Sequence, residues 1–374
     1  MSPRRRLSFV SECTPDPYGV GWEQRAYSFL LGYSRFTDVD LWFMPSPDNP
    51  DLARVSSLSG LCRSITAFYP SAIDDERSGL KARLFGHLSS SDAVHVFRFQ
   101  AFVQSIRHPC IIWDIDEIPW FLRSPGSNGD LRTRSAERRD RLSAAFSGCM
   151  SKCRLVIGCS RLERPSDCAE FAVVPNVVRA PSAAGATEPV TDGSLLFVGN
   201  LNHAPNVDGL AFFCDQVLPL LDGIVLPKAE VVVAGRSPVT QGSRAAVEGL
   251  QRGGRLRFVF DVPDCGPFYA RSAASIAPIR FGAGTRVKII ESFAHRCPVV
   301  STAKGCEGLN VEHGRQLLIA NSPQEFALAC AELLQNPPLR EQIASDAFRH
   351  YEREHSQEVV NALLLSTIGK LLAH

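Results

Sequence analysis

Phe281-Gly-Ala-Gly-Thr-Arg-Val-Lys-Ile-Ile-Glu-Ser-Phe-Ala-His-Arg-Cys-Pro-Val-Val-Ser301 joins a glycine-rich turn, a short helical stretch and an apolar, β-branched run. Turn into helix into buried-type strand is the repeating unit of an α/β fold with a parallel sheet. Gly282 and Gly284 let the backbone adopt positive φ and approach a ligand. Thr285 stands where a helix N-cap is expected. Arg286 offers a planar fork for phosphate oxygens and Lys288 a point charge. Helix-start amides with two cations suit an anionic diphosphate. Glu291, three residues past Lys288 on the same helical face, is placed for ribose hydroxyls. The same residues also read as a plain turn before a capped helix, with Lys288 and Glu291 as a surface pair. The pattern is neither a Walker loop nor G-x-G-x-x-G.

Working outward, the second half repeats this alternation. Leu195–Val198, Ala229–Ala234, Leu256–Phe260, Ala274–Pro278, Pro298–Ser301 and Leu317–Ala320 read as strands. Val207–Leu221, Pro323–Gln335, Pro338–Glu354 and Ser356–Leu372 read as helices, the last apolar at Val359, Val360, Leu363, Leu364 and Leu371. In the first half, Leu7–Val10, Val39–Met44, Ala93–Phe97, Cys110–Trp113 and Leu155–Gly158 read as strands, with Val173–Asn176 as a last edge. Runs this continuous in apolar residues suit parallel strands buried on both faces. The expected fold is α/β, two Rossmann-like domains facing across a cleft. The expected division is an N-terminal domain over 1–178, a small-residue and proline linker over 179–193, a C-terminal domain over 194–355, and a final helix over 356–374.

Ligands of such sheets bind beyond the carboxyl ends of the strands, so the loops after Val198, Ala234, Phe260 and Pro278 are candidate site-builders. Gly199 leaves the first of these strands with Asn200, Asn202 and His203, which also read as a polar turn before an Asn/Pro helix start. Gly235-Arg236 ends the second. In the first half, Thr14–Gly21, with Gly19, Gly21 and the following Arg25, reads either as a phosphate-cradling loop or as a simple strand-to-helix connection. Asp114, Asp116 and Glu117 form an acidic group for a metal or acid/base work, or alternatively cap a helix. Arg98 is placed to neutralise them or to meet a substrate. Arg132–Arg141, with five arginines, reads as a solvated helix face or an anionic-lipid contact.

Bulk properties narrow the class. A net charge of +1 selects neither nucleic acid nor membrane. The 12 cysteines show no C-x-x-C pair or zinc spacing, which suggests reduced thiols in a cytosol. No apolar run reaches the roughly 20 residues of a membrane span, and Arg4-Arg5-Arg6 precedes no signal-type apolar stretch. A cytoplasmic protein is expected, with peripheral contact at the inner membrane face left open. No nucleophile-elbow or zinc-protease motif is present in the sequence.

The second half resembles the family-4, group-1 glycosyltransferases of the two-Rossmann-domain (GT-B) fold, over roughly residues 194–350. The resemblance lies in a G-x-G-T-R-x-K-x-x-E segment, Gly282 to Glu291. It continues in Pro298-Val-Val-Ser-Thr302, Gly305-Cys-Glu-Gly-Leu309, Phe197-Val-Gly-Asn200, Pro205-Asn-Val-Asp208, Asp261-Val262 and Phe268-Tyr-Ala-Arg271. The first half is similar at His95-Val-Phe-Arg98, Asp114-Ile-Asp-Glu117, Cys159-Ser160 and Val174-Pro-Asn176.

The resemblance implies transfer of a sugar from a nucleotide-diphosphate sugar to a saccharide, lipid-linked saccharide or small natural product, with retention and without cofactor or metal. It implies Arg286 and Lys288 as the groups acting on the diphosphate and Glu291 on the ribose. Gly199, Asn200, Arg236, Val262, Gly282, Gly284 and Thr285 would complete the donor site, with backbone near Phe260–Val262 at the base. Gly19, Gly21, Arg25, Arg98, Asp114 and Asp116 would face the acceptor, and the last helix, over 356–374, would cross back to pack on the N-terminal domain. Many relatives carry a further glutamate eight residues before the second; here that residue is Ala283. Two alternatives share the fold: a sugar-nucleotide epimerase, and a degenerate transferase acting as a partner subunit. Oligomeric state is not legible.

Overall fold

The computed structural model describes residues 4–45, 55–69, 80–116, 136–178, 193–251, 256–262, 264–282 and 284–373. The chain divides into two compact units, Met1–Val177 with Gln357–His374, and Val178–Ser356. Each is built on one fully parallel sheet.

The first unit runs β1 (Arg6–Ser11), α1 (Gly21–Tyr33), β2 (Asp38–Phe43), β3 (Ser64–Ala67), α2 (Leu80–Ser89), β4 (Ala93–Phe97), α3 (Gln100–Ser105), β5 (Ile111–Asp114), α4 (Ala136–Met150), β6 (Leu155–Gly158) and β7 (Phe171–Val173). The sheet order is β3-β2-β1-β4-β5-β6-β7. Alternate residues of each strand feed opposite faces, as the pleat requires. Leu7, Phe9, Ala93 and Phe97 pack with Phe29 and Tyr33 of α1, while Val10, Val94 and Val96 pack with Leu84, Phe102 and Phe146. β3, of sequence Ser-Ile-Thr-Ala, was not anticipated; it is short, polar and at the edge of the sheet. The expected last edge lies slightly earlier, at Phe171–Val173, because Val174 and Asn176 turn their oxygens toward Arg25.

The second unit runs β8 (Leu195–Val198), α5 (Ala204–Phe212), a π-turn at Phe213–Val217, α6 (Leu218–Asp222), β9 (Val231–Gly235), α7 (Gln241–Gln251), β10 (Leu256–Phe260), α8 (Gly266–Arg271), β11 (Ala274–Ala277), α9 (Val287–Ala294), β12 (Val299–Ser301), β13 (Leu318–Ile319), α10 (Pro323–Gln335) and α11 (Pro337–Glu354). Its order is β10-β9-β8-β11-β12-β13. In both sheets, β1 and β8 are where the strand order reverses, the place at which such folds bind ligands. α10 begins on a capping box, Ser322 Oγ accepting from Glu325 N and Glu325 Oε2 from Ser322 N.

The final segment is α12 (Gln357–Leu364), a π-turn at Leu365–Gly369 and α13 (Lys370–Ala373). It packs in the first unit: Val360, Leu364, Ile368 and Leu372 recur every fourth residue and join the core of Leu7, Phe9 and Phe29. Gln357 Nε2 donates to Ser28 O of α1 at 3.1 Å. The buried stripe includes Ile368 and Leu372, which were not anticipated.

Candidate functional site

The carboxyl ends of β8, β9 and β10 are tied together by short polar links. Gly199 N donates to Ala234 O at 3.0 Å, and Asp261 N to Gly235 O at 2.8 Å. A Cβ at Gly235 would lie 2.0 Å from Gly199 O, so these backbones come as close as glycine allows. Asn202 is the clasp. Its Nδ2 donates to Ser237 O at 3.0 Å, and its Oδ1 accepts from Val239 N at 2.8 Å and Ser243 Oγ at 3.0 Å. Asn200 Oδ1 in turn accepts from Asn202 N at 3.0 Å. Thus Asn202, expected as a ligand contact, spends its side chain on holding the loops. Asp261 has φ of 55°, and its carboxylate accepts from Ser237 N and Oγ. These hydrogen bonds hold Asp261 below the ordinary carboxylate range. Arg236 and Val262 flank this linkage and are partly exposed.

The segment from Gly282 to Glu291 lies at the adjoining strand end. Gly282 and Gly284 have φ of 107° and 75°. Arg286, not Thr285, occupies the N-cap of α9, and Thr285 is buried. The helix starts one residue later than the sequence suggests because Arg286 keeps extended backbone, φ −85° and ψ 96°. Its guanidinium donates back to Gly284 O, closing the turn.

Lys288, in the first turn, reaches toward β8 instead of pairing outward with Glu291. Its Nζ donates to Asn206 Oδ1 at 2.8 Å and lies 4.2 Å from the centre of the Phe197 ring. Asn206 Nδ2 donates to Asn200 O at 2.9 Å. A Cβ at Gly199 would stand 3.0 Å from Lys288 Nζ. Burial, then the charge of Arg286, push the Lys288 ammonium down to about 7, with Glu291 pulling it back. Glu291, one turn on, accepts at Oε2 from Tyr269 Oη at 3.1 Å. Lys288, at the positive end of α9, therefore lies beside Gly199, and the Arg286 guanidinium stands at the Gly282–Gly284 turn, near enough for its charge to act on Lys288. Ala283 lies outside the described residues.

In the first unit, the loop before α1 differs from a phosphate cradle. Tyr18 N donates to Asp16 Oδ1 at 2.9 Å, and Val20 N to Glu23 Oε2 at 2.8 Å. Both carboxylates are buried, and a Cβ on Gly19 would meet Glu23. The amides near Gly19 and Gly21 already serve internal anions, so this loop presents negative charge where a phosphate would sit.

Arg25 and Asp114, expected at the acceptor, are instead core residues. Arg25 is 1% exposed and Asp114 0%. Arg25 Nε and Nη2 bind Asp114 Oδ2 and Oδ1 at 3.0 and 3.2 Å, and Nη1 donates to Val174 O at 2.7 Å and Asn176 Oδ1 at 3.0 Å. A fully buried arginine survives only with such saturation. Asp116 N donates to Asp114 Oδ1 at 2.9 Å. Glu117 and residues 132–135 of the arginine-rich stretch lie outside the described residues. Among the described residues, no group of three His, Cys, Asp or Glu side chains could hold a metal ion.

Arg98 and Asp116 occupy the ends of β4 and β5 with φ of 65° and 42°. Such left-handed, non-glycine backbone costs of order 1–3 kcal/mol and concentrates at functional positions. Arg98 Nη1 binds Asp116 Oδ2 at 3.2 Å, and its Nε lies 3.7 Å from Glu12 Oε2. The guanidinium sits 5.1 Å over Trp22, which is 39% exposed. Trp22 lies in the first turn of α1. Its pairing with Arg98 had no local signal.

Comparison with known proteins agrees with this architecture. Residues 192–336, which lie within the second unit, match the family model described as "Glycosyl transferases group 1". An uncharacterised 44.6 kDa protein in the cps region of Klebsiella pneumoniae is 27% identical over 171 residues, 45% of this chain and 44% of that protein. The chain thus matches under half the length of that curated relative. Solved structures of the same fold include a sucrose-phosphate synthase from Thermosynechococcus elongatus, with TM-score 0.73, 15% identity, and 99% and 100% of the two chains covered. HepE of Anabaena in complex with UDP-glucose superposes with TM-score 0.69 at 14% identity, covering 98% and 99%. The pneumococcal O-GlcNAc transferase GtfA, in complex with UDP and GlcNAc, gives 0.62 at 8% identity, covering 99% and 100%. The fold is α/β with two Rossmann-like halves, that of GT-B glycosyltransferases. No helix among the described residues is long and apolar enough to cross a membrane.

Proposed function

We propose that the protein transfers a glycosyl group from a nucleotide-diphosphate sugar to an acceptor, and that the second unit binds the donor. The observation that carries this is Lys288, in the first turn of α9, set against the Gly199 turn, with Arg286 at the Gly282–Gly284 turn that leads into the same helix, within the region matching group 1 transferases. Arg286 and Lys288 would bind the diphosphate, Glu291 the ribose hydroxyls, and the backbone at Phe260–Val262 the base. Gly282, Gly284 and Thr285 shape the phosphate turn, and Arg236 flanks the base side.

The leaving diphosphate gains charge as the glycosidic bond breaks. Fixed cations and a helix terminus stabilise that charge most where it develops. We therefore propose catalysis with no metal or cofactor, and retention of anomeric configuration, which the resemblance favours. On the acceptor side the proposal rests on Arg98 and Asp116, held at strained strand ends with Glu12 and Trp22 about them. Polysaccharide assembly as the setting draws on the relative from a cps region.

Thermal unfolding with a panel of nucleotide sugars tests the reading. A donor at 100 times its dissociation constant stabilises the native state by about 2.7 kcal/mol. One nucleotide series is expected to raise the melting temperature and then to be hydrolysed slowly, with EDTA leaving turnover unchanged. Absence of any shift across uridine, guanosine, adenosine and thymidine diphosphate sugars sinks the donor site. Interconversion of the free nucleotide sugar without acceptor would indicate an epimerase, and binding without turnover a degenerate subunit.

A further inference from the structure

Tyr269 is 2% exposed and sits on α8, 22 residues before Glu291. Its ring packs among Leu196, Val232, Ala234 and Cys297, side chains from two strands and the turn that follows α9. On its flat side it stacks on His295 with centroids 5.4 Å apart and planes 13° apart. His295 is the residue that ends α9. The phenol is therefore fixed by the sheet below and by the end of the donor helix beside it. From there its hydroxyl donates to Glu291 Oε2 at 3.1 Å, and the Lys288 carbonyl lies 3.3 Å away. Burial, then the nearby Glu291 charge, hold this phenol far above its ordinary pKa, so it remains a donor.

A carboxylate that must grip two vicinal hydroxyls has to present its plane at one angle. Glutamate has three rotatable side-chain bonds and loses that aim unless something else fixes it. We propose that Tyr269 is a positioning residue that aims Glu291, and so sets the preference for a ribose over a 2′-deoxyribose nucleotide. This inference rests on the proposed donor site.

The experiment measures dissociation constants by calorimetry for matched pairs, UDP and dUDP, GDP and dGDP, ADP and dADP, on the full chain. The ratio of deoxy to ribo constants for the best-bound pair is the readout. In the wild-type chain that ratio is expected to be roughly 10 to 100, the range of a hydrogen bond to a charged group. Glu291→Ala brings the ratio to about 1. Tyr269→Phe lowers it to below about a third of wild type by weakening the ribo form alone, the deoxy constant staying within about twofold. His295→Leu, which removes the surface the ring rests on and leaves the hydroxyl, lowers the ratio less and covers the case in which Tyr269→Phe does not fold. If Glu291→Ala collapses the ratio while neither Tyr269→Phe nor His295→Leu moves it, Tyr269 does not aim Glu291. If either variant weakens both sugar forms equally, its role is packing alone and the proposal falls. If Glu291→Ala leaves the wild-type ratio, the ribose assignment itself is wrong.

Discussion

Alanine at both Arg286 and Lys288 is expected to reduce nucleotide-diphosphate affinity by about 10²- to 10⁴-fold. Hydrogen bonds to charged groups are worth about 1.5–3 kcal/mol each, and two are lost. The helix terminus remains, so the residual affinity reports its share. The pH profile gives a sharper test. In the free site Lys288 sits at about 7, because burial and Arg286 oppose its charge. An anionic diphosphate favours the ammonium, so binding takes up a proton, and affinity falls as pH rises above 7. Calorimetry in two buffers of different ionisation enthalpy detects that proton directly. Lys288→Arg stays charged throughout and is expected to flatten the profile. The apo protein should show the opposite trend. A lysine whose folded pKa lies below its unfolded value of 10.5 costs stability fully below about 7, and that cost is released as pH rises toward the unfolded value. A wild-type affinity that does not change between pH 6.5 and about 8.5 would remove Lys288 from the diphosphate contact.

Arg25→Met is expected to destabilise the first unit by about 3–5 kcal/mol, since it strands a buried carboxylate. Asp114, 0% exposed, would lose both of its guanidinium contacts. Burial raises Asp114 above the ordinary carboxylate range, and Arg25 is the group that opposes that shift. Replacing both residues together, Arg25→Met with Asp114→Leu, should recover much of the loss, because an apolar pair of similar volume often costs little. Urea unfolding of the two single variants and the double variant checks this. Equal destabilisation by the double variant and the sum of the singles would show that the pair is not coupled.

Strands were the most legible elements because a parallel sheet covered on both faces demands unbroken apolar runs. Leu195–Val198 and Ala93–Phe97 could be bounded to the residue for that reason. Elements without that demand were missed. α7 gives the unit's core Val247 and the partly buried Leu250, and α8 is six residues long. The phosphate-type segment was visible through its own residue types, but its partners were not. Lys288 and Asn206 are 82 residues apart, and Arg25 and Asp114 are 89. Such contacts follow from strand order, which local pattern does not encode. That is also why a conspicuous arginine after the first glycine loop read as a ligand contact, while the fold uses it to neutralise an aspartate at the end of β5. The one-residue shift from Thr285 to Arg286 is the ordinary uncertainty of a helix start.

The placement of α12 and α13 bears on how the chain is made. Phe9 and Phe29 leave the ribosome well before the side chains that finish covering them, Val360, Leu364, Ile368 and Leu372. At ~5–20 residues per second the gap amounts to roughly tens of seconds. During that interval the second unit, Val178–Ser356, can fold on its own while the first still shows an unfinished apolar face. The first unit is thus begun before the second and completed after it, and nascent chains halted before residue 357 would be the species most in need of chaperones.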